Sequence, residues 1–368
     1  MGRTCLVALL GMLLLAAPAV ARAQATPAGG STPPDDTQAA RVGALIFLDF
    51  TYQKAPKITD AAGNTVRLSS FNAIRSYINI TGTISHVVSF RITPDVSRET
   101  GTGTSLDGSM SFRLKYAYAN FALDDWMWRG SYARFGMQQN PFIDTQESVY
   151  RYRFQGTVFA ERDGGLPSSD VGAAFRAQLP NNYGDAYIGV FNGEGYAKPE
   201  VNDQKALMLR TTLRPLPKAK GIARNLRVTF FYNGDHYVND GERRRFIASG
   251  MVEHRRFNAG FDYIDGADQP LPTATRVHSD GYSFFITPFF KTKGDGPEAL
   301  IRYDSFRQDS DTDARRNRVI AGLAYWFPHP GGNATAAILL DYEQVSFKNF
   351  ATPQVTQQKI ILHGLISF

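Results

Sequence analysis

The chain has 368 residues, 43% hydrophobic and 20% charged, with a formal charge of +6 that becomes +4 without Arg3 and Arg22. So mild a positive balance gives no case for a nucleic-acid partner. The one cysteine, Cys5, lies near the amino end, which excludes disulfides and thiol chemistry from everything after it.

The amino end is expected to be an export signal. Arg3 gives a positive start, Leu6 to Leu15 is a short apolar run, and Ala21-Arg22-Ala23 has the small-x-small cleavage pattern. Residues 1–23 therefore read as a signal peptide and residues 24–40 as a flexible lead-in rich in Pro, Gly, Thr and Ala. Residues 41–368 form the body, and no apolar run in it approaches the length of a membrane helix.

From Val42 onward, alternating segments recur between turn residues, the mark of strands with one apolar face. The first eight are expected at Val42–Tyr52, Asn72–Thr81, Ile84–Thr93, Ser109–Phe121, Met127–Met137, Asp170–Leu179, Gly184–Asn192 and Lys205–Arg214. The second eight are expected at Asn225–Asn233, Arg245–Arg255, Phe257–Ile264, Asp280–Lys291, Glu298–Phe306, Arg316–Phe327, Ala334–Ser346 and Gln357–Phe368. Their connections alternate between long and short, as in a transmembrane antiparallel β-barrel of about sixteen strands with long external loops and short periplasmic turns. The last strand puts Ile360, Leu362, Gly364, Ile366 and Phe368 on one face, as a lipid-facing closing strand requires. Aromatic belts are expected at both ends: Phe121, Trp126, Trp128, Tyr183, Trp326, Phe327 and Phe368 at the periplasmic level, Tyr52, Phe71 and Phe347 at the other.

Parity then assigns faces. In the fourth strand Met110, Phe112, Leu114, Tyr116 and Tyr118 should face lipid, and Ser111, Arg113, Lys115 and Ala117 the lumen. A cation on the lipid face near the midplane would cost about 2–4 kcal/mol. The same rule turns Arg75, Arg91, Arg129, Arg176, Arg210 and Arg227 inward, with Arg302, Arg318 and Lys359 later. Arg75, Arg91, Arg113, Lys115, Arg176, Arg210, Arg227, Arg302 and Arg318 are the expected pore-lining, anion-attracting set. Inward acids are Asp49, Glu253, Asp262, Asp304, Asp341 and Glu343, the last two expected to oppose the bases. A lumen so lined should hold water. Its bases dominate strands two to nine and its acids strands ten to sixteen, which sets up a transverse field.

The third long connection, Gln138 to Ser169, is the longest, and loops of that length are usually functional. It carries Arg151, Arg153, Arg162, Glu147 and Glu161 together with Phe142, Tyr150, Tyr152, Phe154 and Phe159. That apolar content favours a loop folded into the barrel as a constriction. The run Arg134-Phe135-Gly136-Met137-Gln138-Gln139-Asn140-Pro141-Phe142, followed by Asp144 and Glu147, resembles the signature leading into the third loop of the phosphate-selective porins O and P. Asp170-Val171-Gly172 and Gly184 to Gly193 resemble that family too. The resemblance implies a homotrimeric sixteen-stranded outer-membrane channel, in which basic lumen residues draw anions along the pore without catalysis or cofactor. Where that family often has a lysine after the Phe-Gly pair, Gln138 and Gln139 stand here, which bears on phosphate selectivity. Two rivals belong to other classes: an outer-membrane hydrolase using Asp235-His236, and a closed structural or adhesive barrel. The six histidines show no metal-type spacing.

Overall fold

The computed structural model describes residues 38–101, 103, 105–329 and 334–368. The expected signal peptide and all of the lead-in before residue 38 lie outside the described residues. The first strand begins at Ala39, two residues before the expected start of the body.

Sixteen strands close into one antiparallel barrel, each pairing with its neighbours in the chain. The first eight are β1 (Ala39–Ala55), β2 (Ser69–Thr83), β3 (Val88–Arg98), β4 (Met110–Ala122), β5 (Tyr132–Gln139), β6 (Ser169–Gln178), β7 (Gly184–Phe191) and β8 (Ala206–Leu213). The rest are β9 (Leu226–Asp235), β10 (Arg243–His254), β11 (Phe257–Asp268), β12 (Val277–Pro288), β13 (Gly296–Asp309), β14 (Ala314–Phe327), β15 (Thr335–Lys348) and β16 (Gln357–Ser367). Closure joins β16 to β1 from Leu45↔Ser367 to Ala55↔Gln358. Ala44 and Phe368 exchange backbone hydrogen bonds of 3.0 and 3.1 Å, so the terminal aromatic is inside the seam. Among the described residues the barrel sheet has no edge strand, the property that lets a barrel stand in hydrocarbon. The alternation of β16 is as expected: Ile360, Leu362, Ile366 and Phe368 are exposed outward, and Ile361, His363, Leu365 and Ser367 are buried inward.

Three expectations about side-chain direction are corrected. First, β4 carries a bulge. Pro94 pairs with Leu114 and Thr93 with Tyr116, which leaves Lys115 without a partner. Proline lacks the N–H for a regular ladder and is tolerated in a sheet at such places. Parity flips there, so Tyr116 and Tyr118 turn inward beside Arg91 and Arg134, and Ala117 turns outward. Second, β5 starts at Tyr132, so Arg129 sits exposed in a turn and not on the lumen wall. Third, Trp326 is not part of an outer belt. It points inward, 4% exposed, while Phe327 beside it points out.

The third long loop, residues 140–168, folds into the barrel. Asn140 caps helix α1 (Pro141–Tyr150), its side chain accepting from the backbone N–H groups of Phe142 and Ile143, with Pro141 at the first helical position. Gly136 just before it has φ +119°, and any Cβ there would strike the Ala117 carbonyl. Glycine at position 136 is thus a steric requirement of the wall. After α1 the chain runs across the barrel and forms a short second helix, α2 (Phe159–Arg162).

What holds the loop inside is a hydrophobic core. Met208, Phe231, Ile247, Met251, Ile264, Phe285, Leu300, Ile320, Leu339 and Leu365 point inward from β8–β16 and are buried. Loop rings cover them: Phe142 on Phe231 (centroids 5.5 Å), Tyr150 on Phe285 (5.1 Å), Tyr152 on Trp326 (5.8 Å) and Phe159 on Phe306 (6.2 Å). Burying such a side chain contributes about 1.5–3 kcal/mol relative to leaving it exposed. The β2–β7 side of the interior is therefore polar, while the β8–β16 side is a packed interior sealed by the loop.

Candidate functional site

The β2–β9 side of the interior carries the cations, with Arg75, Arg113 and Arg176 partly open and Lys115 and Arg210 buried. Arg75 and Arg113 flank the buried carboxylate of Asp95 at 3.6 and 3.2 Å. Arg91 donates to Asn79 (2.7 Å) and Thr93 (2.9 Å). Lys115 is 3% exposed and donates to the Tyr77 hydroxyl at 3.1 Å. Arg176, at 3.1 Å, and Arg210 close on Asp185, and Arg227 pairs with Glu253. Arg113, with a side chain 30% exposed, is the most open of the paired bases on this wall.

Loop 3 brings its own acids to face this wall. Burial pushes the Asp144 carboxyl above the usual carboxylate range, against the pull of Arg134, Arg210, Arg91 and Arg176. Burial also raises the Glu147 carboxyl, against the attraction of Arg153. Burial acts the same way on Glu161, but Arg153, Lys115 and Arg75 outweigh it and hold that carboxyl below its ordinary value. Arg153 binds both glutamates, Glu147 at 2.8 Å and Glu161 at 3.5 Å. The loop therefore presents two glutamates with one arginine between them to a wall of guanidinium groups.

Several of the expected pore residues serve the loop instead. Arg302 is 2% exposed; it chelates Asp304 at 2.8 Å and donates to the Thr157 carbonyl at 2.9 Å. It is a clamp behind the loop and does not line open space. Arg151 binds Glu298 at 3.1 Å with its guanidinium 4.1 Å above the Trp326 ring. Arg318 pairs with Glu343, which also takes Arg162 at 3.8 Å and the Gln155 amide at 3.0 Å. Asp341 is shut beneath the loop with His363 at 3.3 Å. Asp341 and Glu343 thus do not oppose the bases across open water, because loop 3 lies between; Asp144, Glu147 and Glu161 take that place. The physical reason is the apolar inward surface of β8–β16, which has to be covered.

Sequence reasoning missed the tyrosines. Tyr77, Tyr116, Tyr118, Tyr132 and Tyr187 interleave with the cations, with Arg91 4.6 Å from the Tyr116 ring and Arg134 4.3 Å from that of Tyr118. It also missed Tyr196 in the fourth long loop, residues 192–205. Gly195, at φ +75°, packs loop 4 against Pro167 of loop 3. Tyr196 then reaches over to β3 and β4, its ring 4.9 Å from Arg113 and 5.7 Å from Lys115. Each ring attracts a cation through its negative face. The usable signal was the bulge at Pro94, which would have turned Tyr116 and Tyr118 inward. In the Asp235-His236 dipeptide, Asp235 is bound by Arg243, Nε at 2.6 Å, and accepts the backbone N–H of His236. Among the described residues no cluster of His, Cys, Asp or Glu could hold a metal ion.

The fold is that of the outer-membrane porins. The anion-selective porin of Comamonas acidovorans superposes with a TM-score of 0.62 at 9% identity, covering 90% of this chain and 100% of that one. OmpT of Vibrio cholerae in its trimer form gives 0.57 at 11% identity over 90% and 100%. Salmonella typhi OmpF, solved with daunomycin, gives 0.59 at 11% identity over 89% and 97%. No protein-family model and no curated protein sequence matches the chain.

Proposed function

We propose that the chain is a bacterial outer-membrane porin, exported through a cleaved signal peptide and assembled as a homotrimer. It forms a water-filled channel for passive diffusion of small hydrophilic solutes, moderately selective for anions, with phosphate and other oxyanions among them. The observation that carries this reading is the row of cations on β2–β8, with Arg75, Arg113 and Arg176 left partly open by a loop that covers the opposite wall. Basic side chains along a pore favour anions, and a low-dielectric wall focuses their field. Asp95, Asp185, Glu147 and Glu161 lie among them, so the preference is moderate. The outward faces, rich in Ile, Leu, Val, Phe and Tyr, suit the membrane.

The test is the reversal potential of single channels in a potassium chloride gradient, for the parent and for a channel carrying Arg113→Gln and Lys115→Gln. The parent should prefer chloride and the double variant should shift toward cations, mostly through the more open Arg113. The shift should shrink near 1 M salt, where the Debye length is about 3 Å. A double variant with the parent's reversal potential at low salt would remove these residues from the conducting path. A parent that conducts nothing would favour a closed barrel.

A further inference from the structure

Under helix α1, toward the end of the barrel with the short turns, four arginines line one cavity of about 170 Å³. They form two groups. Arg176 on β6 and Arg210 on β8 both sit in register with Tyr187 and converge on Asp185. Arg214 follows β8, and because Leu213 pairs with Val228, it comes opposite Arg227 at the next step. Arg227 shares Glu253 with Lys293, whose ammonium stands at 2.8 Å. Burial lowers the proton affinity of the Arg214 guanidinium, and the charge of Arg227 lowers it further.

Arg210, Thr212 and Arg214 occupy one face of the chain at alternate positions, so the Cα atoms of the two arginines are about 13 Å apart. Thr212, Thr145 and Ser148 line the same cavity. Four guanidinium groups against the lining carboxylates Asp144 and Asp185 leave an excess of two positive charges. The Nε–H groups of Arg210 and Arg227 have no hydrogen-bond acceptor, and Arg210 is only 7% exposed.

We propose that this cavity binds small α,ω-dicarboxylates, one carboxylate at Arg176 and Arg210 and the other at Arg214 and Arg227. The proposal rests on the anion-channel reading and names a solute class for it. Guanidinium forks bind carboxylates through paired hydrogen bonds, and two separated forks select two separated carboxylates over one compact anion.

The experiment uses the full-length channel in planar bilayers, with chloride current read while succinate, acetate or inorganic phosphate is added. Succinate should interrupt the current at a concentration about tenfold below that needed for acetate or phosphate, equivalent to about 1.4 kcal/mol of preference. Arg214→Gln should abolish that preference, and Arg214→Lys should restore part of it, both in barrels whose heat-modifiable migration is intact. Equal potency of succinate and phosphate would overturn the two-pole site. So would an Arg214→Gln channel with the parent's succinate response. A chloride-selective parent indifferent to succinate sinks this proposal alone; a parent without anion preference sinks the channel reading with it.

Discussion

Replacing Arg302 by alanine should release the constriction loop without opening the barrel. Arg302 holds Asp304 by two contacts of 2.8 Å, Nε to Oδ1 and Nη2 to Oδ2. Its Nη1 donates to the Thr157 carbonyl at 2.9 Å, and its guanidinium lies 5.2 Å from the centre of the Tyr150 ring. In the alanine variant Asp304 stays in the wall with Ser283 as a remaining donor at 2.7 Å. Leaving one partner of a buried pair uncompensated costs about 3–5 kcal/mol. The sheet ladder of β13 is unaffected, so the protein can recover that cost only by letting the loop lift and water reach Asp304. At 1.36 kcal/mol per factor of ten, even about 3 kcal/mol raises the lifted population by roughly a hundredfold. The assay is limited trypsin digestion of the folded barrel, with single-channel recording alongside. Arg153 and Arg162 are protected in the docked loop and become cleavable when it lifts, and current noise should rise. The variant Arg302→Met with Asp304→Leu replaces the pair by apolar volume and should restore protection. An Arg302→Ala channel as quiet and as trypsin-resistant as the parent would refute the clamp. A changed reversal potential in the Met–Leu variant would return Arg302 to the conducting path.

Deleting Phe368 removes the backbone bond pair with Ala44 and the outward ring at the seam. The yield of heat-modifiable barrel should fall, which a denaturing gel reads directly. Acidification should strengthen anion preference before ordinary carboxylates titrate. Asp144 and Glu147 both have carboxyls raised by burial, so as the pH falls they take up protons above the usual range and cease to offset the basic wall. A reversal potential flat from neutral pH down to the ordinary carboxylate range would count against their facing the ion path.

Strand count, strand order and the direction of most side chains were legible because a barrel wall enforces period-two alternation at every strand. Arg75, Arg91, Arg113, Arg176, Arg210 and Arg227 all point inward as parity requires. The direction failed at Tyr116 and Tyr118, since a single unpaired residue, Lys115, inverts everything after it. The inward position of loop 3 was foreseeable from its rings, but not which wall it covers. That information was present in the inward parity of β8–β16, where Met208, Phe231, Ile247, Phe285 and Leu300 stand in positions expected to be wet.

The sequence by itself determined a closed sixteen-stranded wall with an apolar outside, a cation-rich half and a long aromatic loop. These follow from local alternation and from the cost of placing charge outward. Only the tertiary structure decided which of the inward charges meet open space. Arg302, Arg318, Asp341 and Glu343 have the same parity as Arg75 and Arg113, yet they lie behind or beneath loop 3. The reason is that the loop's rings can leave water only by packing on the apolar side of the interior. That choice covers one set of charges, leaves the other facing Asp144, Glu147 and Glu161, and is made by contacts between residues more than a hundred positions apart in the chain, such as Tyr152 with Trp326.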